Sequence, residues 1–211
     1  MFKVLTMALG MGLAPLGAVP PANFAGDQLV AWCIVPFDAK KRSPEARAKM
    51  LVDLGLRRCA YDWRAEHVAS FEAEIEAYRK FGIEFTAFWG EHETAFKLFI
   101  KHRITPQIWK TCPSPAGKTQ QERVAAAAAQ LQGLATRCRK MGSQLGLYNH
   151  GGWGGAPENL IAVCRALVAM GHDNVGIIQQ RTVGKSAYMD AQRAIGKAFP
   201  FQRLLFKIFC C

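Results

Sequence analysis

A chain of 211 residues, half of them apolar, is long enough to bury one sizeable hydrophobic core, and this excludes a disordered body. The net charge of +11 would suit a phosphate backbone, but +5 of it sits on residues 180–211, through Arg181, Lys185, Arg193, Lys197, Arg203 and Lys207 against Asp190. No helix-turn-helix, stacking-aromatic or zinc-knuckle pattern accompanies the charge, which argues against a dedicated DNA or RNA function.

Residues 1–27 read as a leader. Lys3 precedes an apolar stretch from Val4 to Val19, with small residues at Gly17 and Ala18 that suit signal peptidase. The stretch is too short and too rich in glycine for a membrane span. Two readings stand side by side: a signal that exports the protein to the periplasm, and an unstructured leader on a cytoplasmic protein.

Residues 28–179 then repeat one pattern: a short apolar run, a polar turn, a helical periodicity. The first run is Leu29 to Val35. It leads to a helix over Ser43 to Leu54, with Ser43 as cap, Pro44 in the first helical position and Gly55 as stop. The second run, Leu56 to Tyr61, feeds a helix from Phe71 to Lys80, with Ser70 as cap, Glu72 and Glu74 near its positive end and Gly82 closing it. The third, Ile83 to Trp89, is followed by a short helix over Glu93 to Lys101, and the fourth spans Ile104 to Trp109. A long helix from Gln120 to Met141 opens on Thr119 and Glu122, the spacing of a capping box, and its apolar positions recur at three, four or seven. The fifth run, Gln144 to Asn149, precedes the glycine-rich HGGWGGAP loop and a helix over Glu158 to Met170; the sixth is Asn174 to Ile178.

Six strand-helix alternations predict parallel strands joined by right-handed crossovers. No GxGxxG turn follows a strand, so an open dinucleotide-binding sheet lacks its signature. Polar and aromatic residues recur at successive strand ends: Asp38, Asp62 with Trp63, Trp89, Trp109 with Lys110, Asn149 with His150. That recurrence favours a TIM-type (β/α) barrel, whose chemistry gathers on the carboxyl rim. The expected fold is therefore an incomplete barrel of about six of eight β/α units. Its sixth strand should leave an exposed edge, and residues 180–211 form a basic, atypical tail. Within the tail, the sequence after Pro200 can form a basic amphipathic helix suited to an anionic membrane surface. The seven cysteines, odd in number and widely spaced apart from the terminal pair, fit neither a disulfide scaffold nor a zinc pattern.

The segments AWCIVPFDAKKRSPEARAKML, GLRRCAYDWRAEH, GIEFTAFW, TPQIW, QERVAAAAAQL and LGLYNHGGWGGAPENLIAV resemble sugar phosphate isomerase/epimerase-like proteins. These are TIM barrels of the xylose isomerase-like kind, which also include type 2 AP endonucleases. The resemblance covers about Leu29 to Ile178. It implies a sugar, sugar phosphate or similar hydroxy-carbonyl substrate and a divalent metal, Mn, Mg, Zn or Co, held by strand-end residues. Where the resemblance implies a metal-binding glutamate at the end of strand five, this chain has Tyr148, followed by the retained Asn149 and His150. Strands seven and eight find no counterpart, so the chain reads as truncated. The resemblance thus names no metal ligand here and predicts a chain that is not a competent isomerase. A metal-dependent phosphodiesterase or endonuclease of the same superfamily, and a non-catalytic barrel product, are the alternatives.

Moving a proton or hydride next to a carbonyl needs a base or metal, and a group to hold the developing charge. His150, beside Gly151 and Gly152, is the first catalytic candidate, with a hydrogen bond to a neighbouring loop as its structural reading. Glu158 and His67 follow; Glu158 also suits a helix start with no function at all. Asp62, Trp63, Glu66, Trp89, Lys110, Asn149 and Trp153 are the substrate-binding candidates. Asp62 equally suits an ion pair with Arg64. Trp63, Trp89 and Trp153 are expected to form an apolar wall against a sugar ring, or to close the core. Lys110 suits a phosphate or an enediolate oxygen, or plain solvation. Glu84 and Glu91 read as surface charges.

Overall fold

Short branched and aromatic runs separated by capped helices leave few ways to satisfy both backbone and core, and the chain adopts the one expected of them. The structure is a computed structural model that describes residues 29–180 and the pair 207–208. In chain order the elements are β1 (Val30–Ala31), α1 (Pro44–Asp53), β2 (Arg58–Tyr61), a 3-10 helix (Ala65–Ser70), α2 (Phe71–Phe81), β3 (Glu84–Trp89) and α3 (Glu93–His102). After these come β4 (Gln107–Thr111), α4 (Gln120–Lys140), β5 (Leu145–Tyr148), a short 3-10 turn (Trp153–Gly155), α5 (Pro157–Ala169), β6 (Val175–Gln180) and β7 (Lys207–Ile208). The strands pair in sequence order and every pairing is parallel. Six strands with flanking helices are six of the eight units of a TIM barrel.

Strand parity divides the apolar residues between two faces. Cys59, Tyr61, Phe88, Ile108, Leu145, Leu147 and Ile177 point towards the helices, where Leu51, Ile75, Phe96, Phe99, Leu131, Leu160 and Leu167 complete the main core. The intervening positions, Ala60, Ala87, Trp109, Tyr148 and Ile178, face the other way and gather Val30, Trp32 and Trp89. The inner face is crowded: a Cβ on Gly146 would lie 2.6 Å from the Ile178 side chain.

Most helix ends follow the expected chemistry. Ser43 Oγ accepts the Ala46 amide at 3.3 Å, and Thr119 and Glu122 form the reciprocal capping box. Ser70 departs from expectation. Its hydroxyl donates to the His67 carbonyl at 2.9 Å instead of capping α2, because the 3-10 helix runs directly into α2 and supplies the preceding turn.

Two strands differ from their expected bounds. β1 stops after Ala31, since Cys33 takes a left-handed φ of 59° that breaks the extended run, and the chain turns through residues 34–37. β4 starts after Pro106, which has no N–H to give to a ladder.

The exposed edge expected after the sixth strand is partly covered. Gln179 and Gln180 pair with Lys207 and Ile208, and these two residues are strand where a helix after Pro200 was expected. An unpaired edge offers backbone groups that another extended segment satisfies. The rest of that proposed helix, the leader and most of the tail lie outside the described residues. No helix among the described residues is long and apolar enough to cross a membrane.

Candidate functional site

The carboxyl ends of the strands carry most of the residues singled out by sequence. Tyr148, the last residue of β5, is fully buried on the inner face, its ring centroid 4.4 Å from that of Trp89 and 6.1 Å from that of Trp32. Trp32 in turn stacks on Trp89 at 5.5 Å. Asn149 is buried at the start of the following loop, and His150 is exposed with its ring 5.9 Å from that of Tyr148.

The glycine-rich loop is fixed to its neighbours. Gly154 N–H donates to Ser114 Oγ at 2.8 Å, and a Cβ at this glycine would sit 2.3 Å from the Cys112 carbonyl oxygen, so the two loops touch backbone to backbone. Trp153 Nε1 donates to Gln120 Oε1 at 2.9 Å while Arg123 lies over its ring at 4.7 Å. Asn159 completes the clamp: it donates to the Trp153 carbonyl at 2.7 Å and accepts from Gln120 Nε2 at 2.6 Å. Sequence reasoning missed Asn159 and Gln120. Glu158, next to Asn159, is exposed in the first turn of α5.

The three tryptophans, read from the sequence either as an apolar wall or as closing the core, take three different places. Trp63 is on the helix side, edge-on to Phe71 and His92, with its Nε1 donating to the Trp89 carbonyl at 2.7 Å. Trp89 is on the inner face, and Trp153 lies against α4. Parity separates the first two, because Trp63 continues the outward alternation of Cys59 and Tyr61 while Trp89 shares the inward parity of Ala87.

At the end of β2, Asp62 is buried and accepts from Arg64 Nη1 and the Trp63 amide, both at 2.9 Å, the ion pair anticipated for it. His67 Nδ1 accepts the Arg64 amide at 2.9 Å and so caps the 3-10 helix, while Glu66 is exposed. Lys110 pairs with Glu91 at 2.8 Å.

The rim does not fit a resident divalent metal. Where the resemblance implies a ligand there is a phenol packed among indoles, Asp62 is committed to Arg64, and among the described residues no three metal-ligating side chains converge at the rim. Among the described residues, the one group of side chains whose ligand atoms converge is elsewhere: Glu72, Glu76 and His102, between α2 and α3, within 4.8 Å of one another. A cavity of about 380 Å³ lies at the opposite end of the strands, lined by Tyr78, Arg79, Phe85, Arg103 and Thr105, and none of the rim candidates borders it.

No family model matches the chain, and no curated protein matches it in sequence. Solved structures share its fold at low sequence identity. A crystal structure of D-psicose 3-epimerase in the presence of D-fructose superposes with a TM-score of 0.57 at 13% identity, covering 79% of this chain and 69% of that one. The probable 3-DHS dehydratase AsbF from Bacillus anthracis, involved in petrobactin synthesis, gives 0.61 at 11% identity over 80% and 69%. The apo form of the 3-keto-D-glucoside 4-epimerase YcjR from E. coli gives 0.52 at 12% over 74% and 72%.

Proposed function

We propose that this chain is a sugar phosphate isomerase/epimerase-like barrel protein that holds a small sugar, or a similar hydroxy-carbonyl compound, at its carboxyl rim, and that it does not isomerise that compound. The observation that carries the reading is Tyr148. Where the resemblance implies a metal-binding glutamate, a neutral phenol is packed into an aromatic cluster 4.4 Å from Trp89, and a phenol is a poor divalent-metal ligand beside a carboxylate. Asp62, the buried acid at the end of β2, is already engaged by Arg64 at 2.9 Å. Binding has better support. Asn149 and the exposed His150 lead into a loop whose exposed Gly151 and Gly152 carry no side chain to block a ligand, and the Trp153, Gln120 and Asn159 clamp holds that loop in one place. Two of the proteins with similar folds are named as epimerases of sugars or sugar derivatives, which sets the substrate class to try first.

Titration calorimetry with free and phosphorylated ketoses and aldoses, alongside a turnover assay supplemented with Mn2+, Mg2+, Zn2+ or Co2+, tests both halves. The expected result is saturable binding that His150→Ala removes, with no turnover. The substitution should change stability by no more than roughly 1 kcal/mol, as at other exposed sites without a cap or core role. Metal-dependent turnover would overturn the claim that the chain is inactive. Absence of binding to every sugar tried would overturn the claim of a sugar site.

A further inference from the structure

We infer that Glu72, Glu76 and His102 form a binding site for a transition-metal dication of the zinc class, placed in the helical layer and separate from the carboxyl rim. The inference stands whether or not the rim binds a sugar. Glu72 and Glu76 are four residues apart on α2 and so share one face, one turn apart. α3 brings His102 across to them in its last turn. The three ligand atoms already lie within 4.8 Å of one another, and bonds of about 2.0–2.2 Å in tetrahedral geometry need ligand atoms roughly 3.4 Å apart, so small side-chain rotations close the site.

His102 is the fixed member. Its side chain is only 9% exposed, and its Nε2 is 2.8 Å from Glu72 Oε1. Its backbone carbonyl is held by Arg79 Nη2 at 2.8 Å, and Arg103 closes the helix immediately after it with a left-handed φ of 53°. An imidazole that needs little ordering lowers the entropic cost of binding an ion. One imidazole nitrogen with two carboxylates suits zinc or cobalt, with water in the fourth position. Calcium and magnesium demand oxygen shells of six or more ligands, which three side chains including a nitrogen do not supply.

The cluster already holds a positive charge. Lys101 Nζ is 2.6 Å from Glu72 Oε1, the same oxygen that faces His102. Its side chain is 65% exposed, so the ammonium can leave for water with little loss when an ion arrives. Lys101 is therefore an internal competitor, and removing it should strengthen metal binding. An ion-pair network with no affinity for metals makes no such prediction.

The test is zinc titration of the full chain by calorimetry, with Co2+ absorption as a spectroscopic readout and circular dichroism to confirm folding. The expected result is a site that gains about two- to fivefold in Zn2+ affinity in Lys101→Met and loses at least tenfold in Glu76→Gln and in His102→Gln. Co2+ should show the visible bands of a four-coordinate ion, and these should vanish in Glu76→Gln, whose exposed position spares the fold. Zn2+ binding that is absent, or that is unchanged in all three folded variants, would overturn the inference. Tighter binding of Mg2+ or Ca2+ than of Zn2+ would overturn the assigned metal class.

Discussion

At the scale of single residues, the strongest electrostatic commitment is one the sequence conceals. Arg47 on α1 and Glu74 on α2 are buried together and meet in a two-pronged contact, Nε to Oε1 at 2.9 Å and Nη2 to Oε2 at 3.2 Å. In the sequence Glu74 reads as a helix-start carboxylate; only the packing of α1 on α2 reveals its partner. Burial opposes charge on the Arg47 guanidinium, but the hydrogen bond to Glu74 and its negative charge outweigh that and raise its pKa. Removing one partner strands the other charge in the core, so Arg47→Met is expected to cost about 3–5 kcal/mol in urea unfolding. Arg47→Met combined with Glu74→Leu should recover much of the loss, and a double variant as unstable as the single would refute this account. Asp38 sits at the border of the same network. Burial raises its pKa, but the amides of Arg42 and Lys40 and the nearby Arg42 and Arg47 charges lower it further, so it ends below the ordinary carboxylate range. Glu93 is lowered likewise, by its hydrogen bond with Arg137. A carboxylate depressed in the folded state contributes stability that is complete above its unfolded pKa and is lost as pH falls through its folded one. The melting temperature should therefore hold from neutral pH to about 5 and decline below about 4, where unfolded carboxylates begin to take up protons. Asp38→Asn should make that decline shallower in a thermal melt series.

At the scale of elements, the junction between the β4–α4 and β5–α5 loops holds the candidate site in shape. Gly154 approaches the Cys112 and Pro113 carbonyl oxygens so closely that an added Cβ would stand 2.3 Å and 2.5 Å from them. Backbone cannot yield as a flexible side chain does, so Gly154→Ala must push the loops apart. It should cost roughly 1–3 kcal/mol, the range for overpacking a tight site. The Gln120–Asn159 clamp should loosen with it, so sugar binding should weaken in calorimetry even where the variant remains folded. Unchanged binding would show that the loop does not need this junction. Helix ends were legible here because caps act locally: Ser43, Thr119 with Glu122, and Gly82 each announce an end in a few residues. The first strand was not, since a left-handed Cys33 ends it against an apolar run that reads as extended through Val35. The 3-10 helix was also missed, because AEHVAS has neither a helical stripe nor a strong cap, and its cap is a histidine side chain that sequence assigned to chemistry. The metal-ligand cluster escaped for a different reason: Glu72 and His102 lie thirty residues apart, and no local pattern encodes how α2 crosses α3.

At the scale of the whole molecule, the sheet is strongest in the middle. β3, β4 and β5 each pair with a strand on either side over three or four register positions, and their outward residues are buried under α2 to α5. β1 contributes two residues and has a partner on one side only among the described residues, while β6 meets β7 at Gln179 and Gln180 alone. Backbone amides exchange through openings whose free energy rises towards the global value where pairing and packing are continuous. Native-state hydrogen exchange should accordingly rank the amides of Phe88, Ile108, Leu145 and Leu147 as the slowest, those of Ile177 and Ile178 as intermediate, and those of Val30 and Ala31 as the fastest of the strands. The inner face adds a second contrast. Trp32, at the thin edge, stacks on Trp89, so the aromatic cluster ties β1 to β3 across β2. Trp32→Ala should therefore speed exchange in β1 more than in β4, since it removes a large side chain that joins the edge strand to the inner face. Equal protection across all six strands would mean that the sheet opens only as a unit, and that the edges are as secure as the centre.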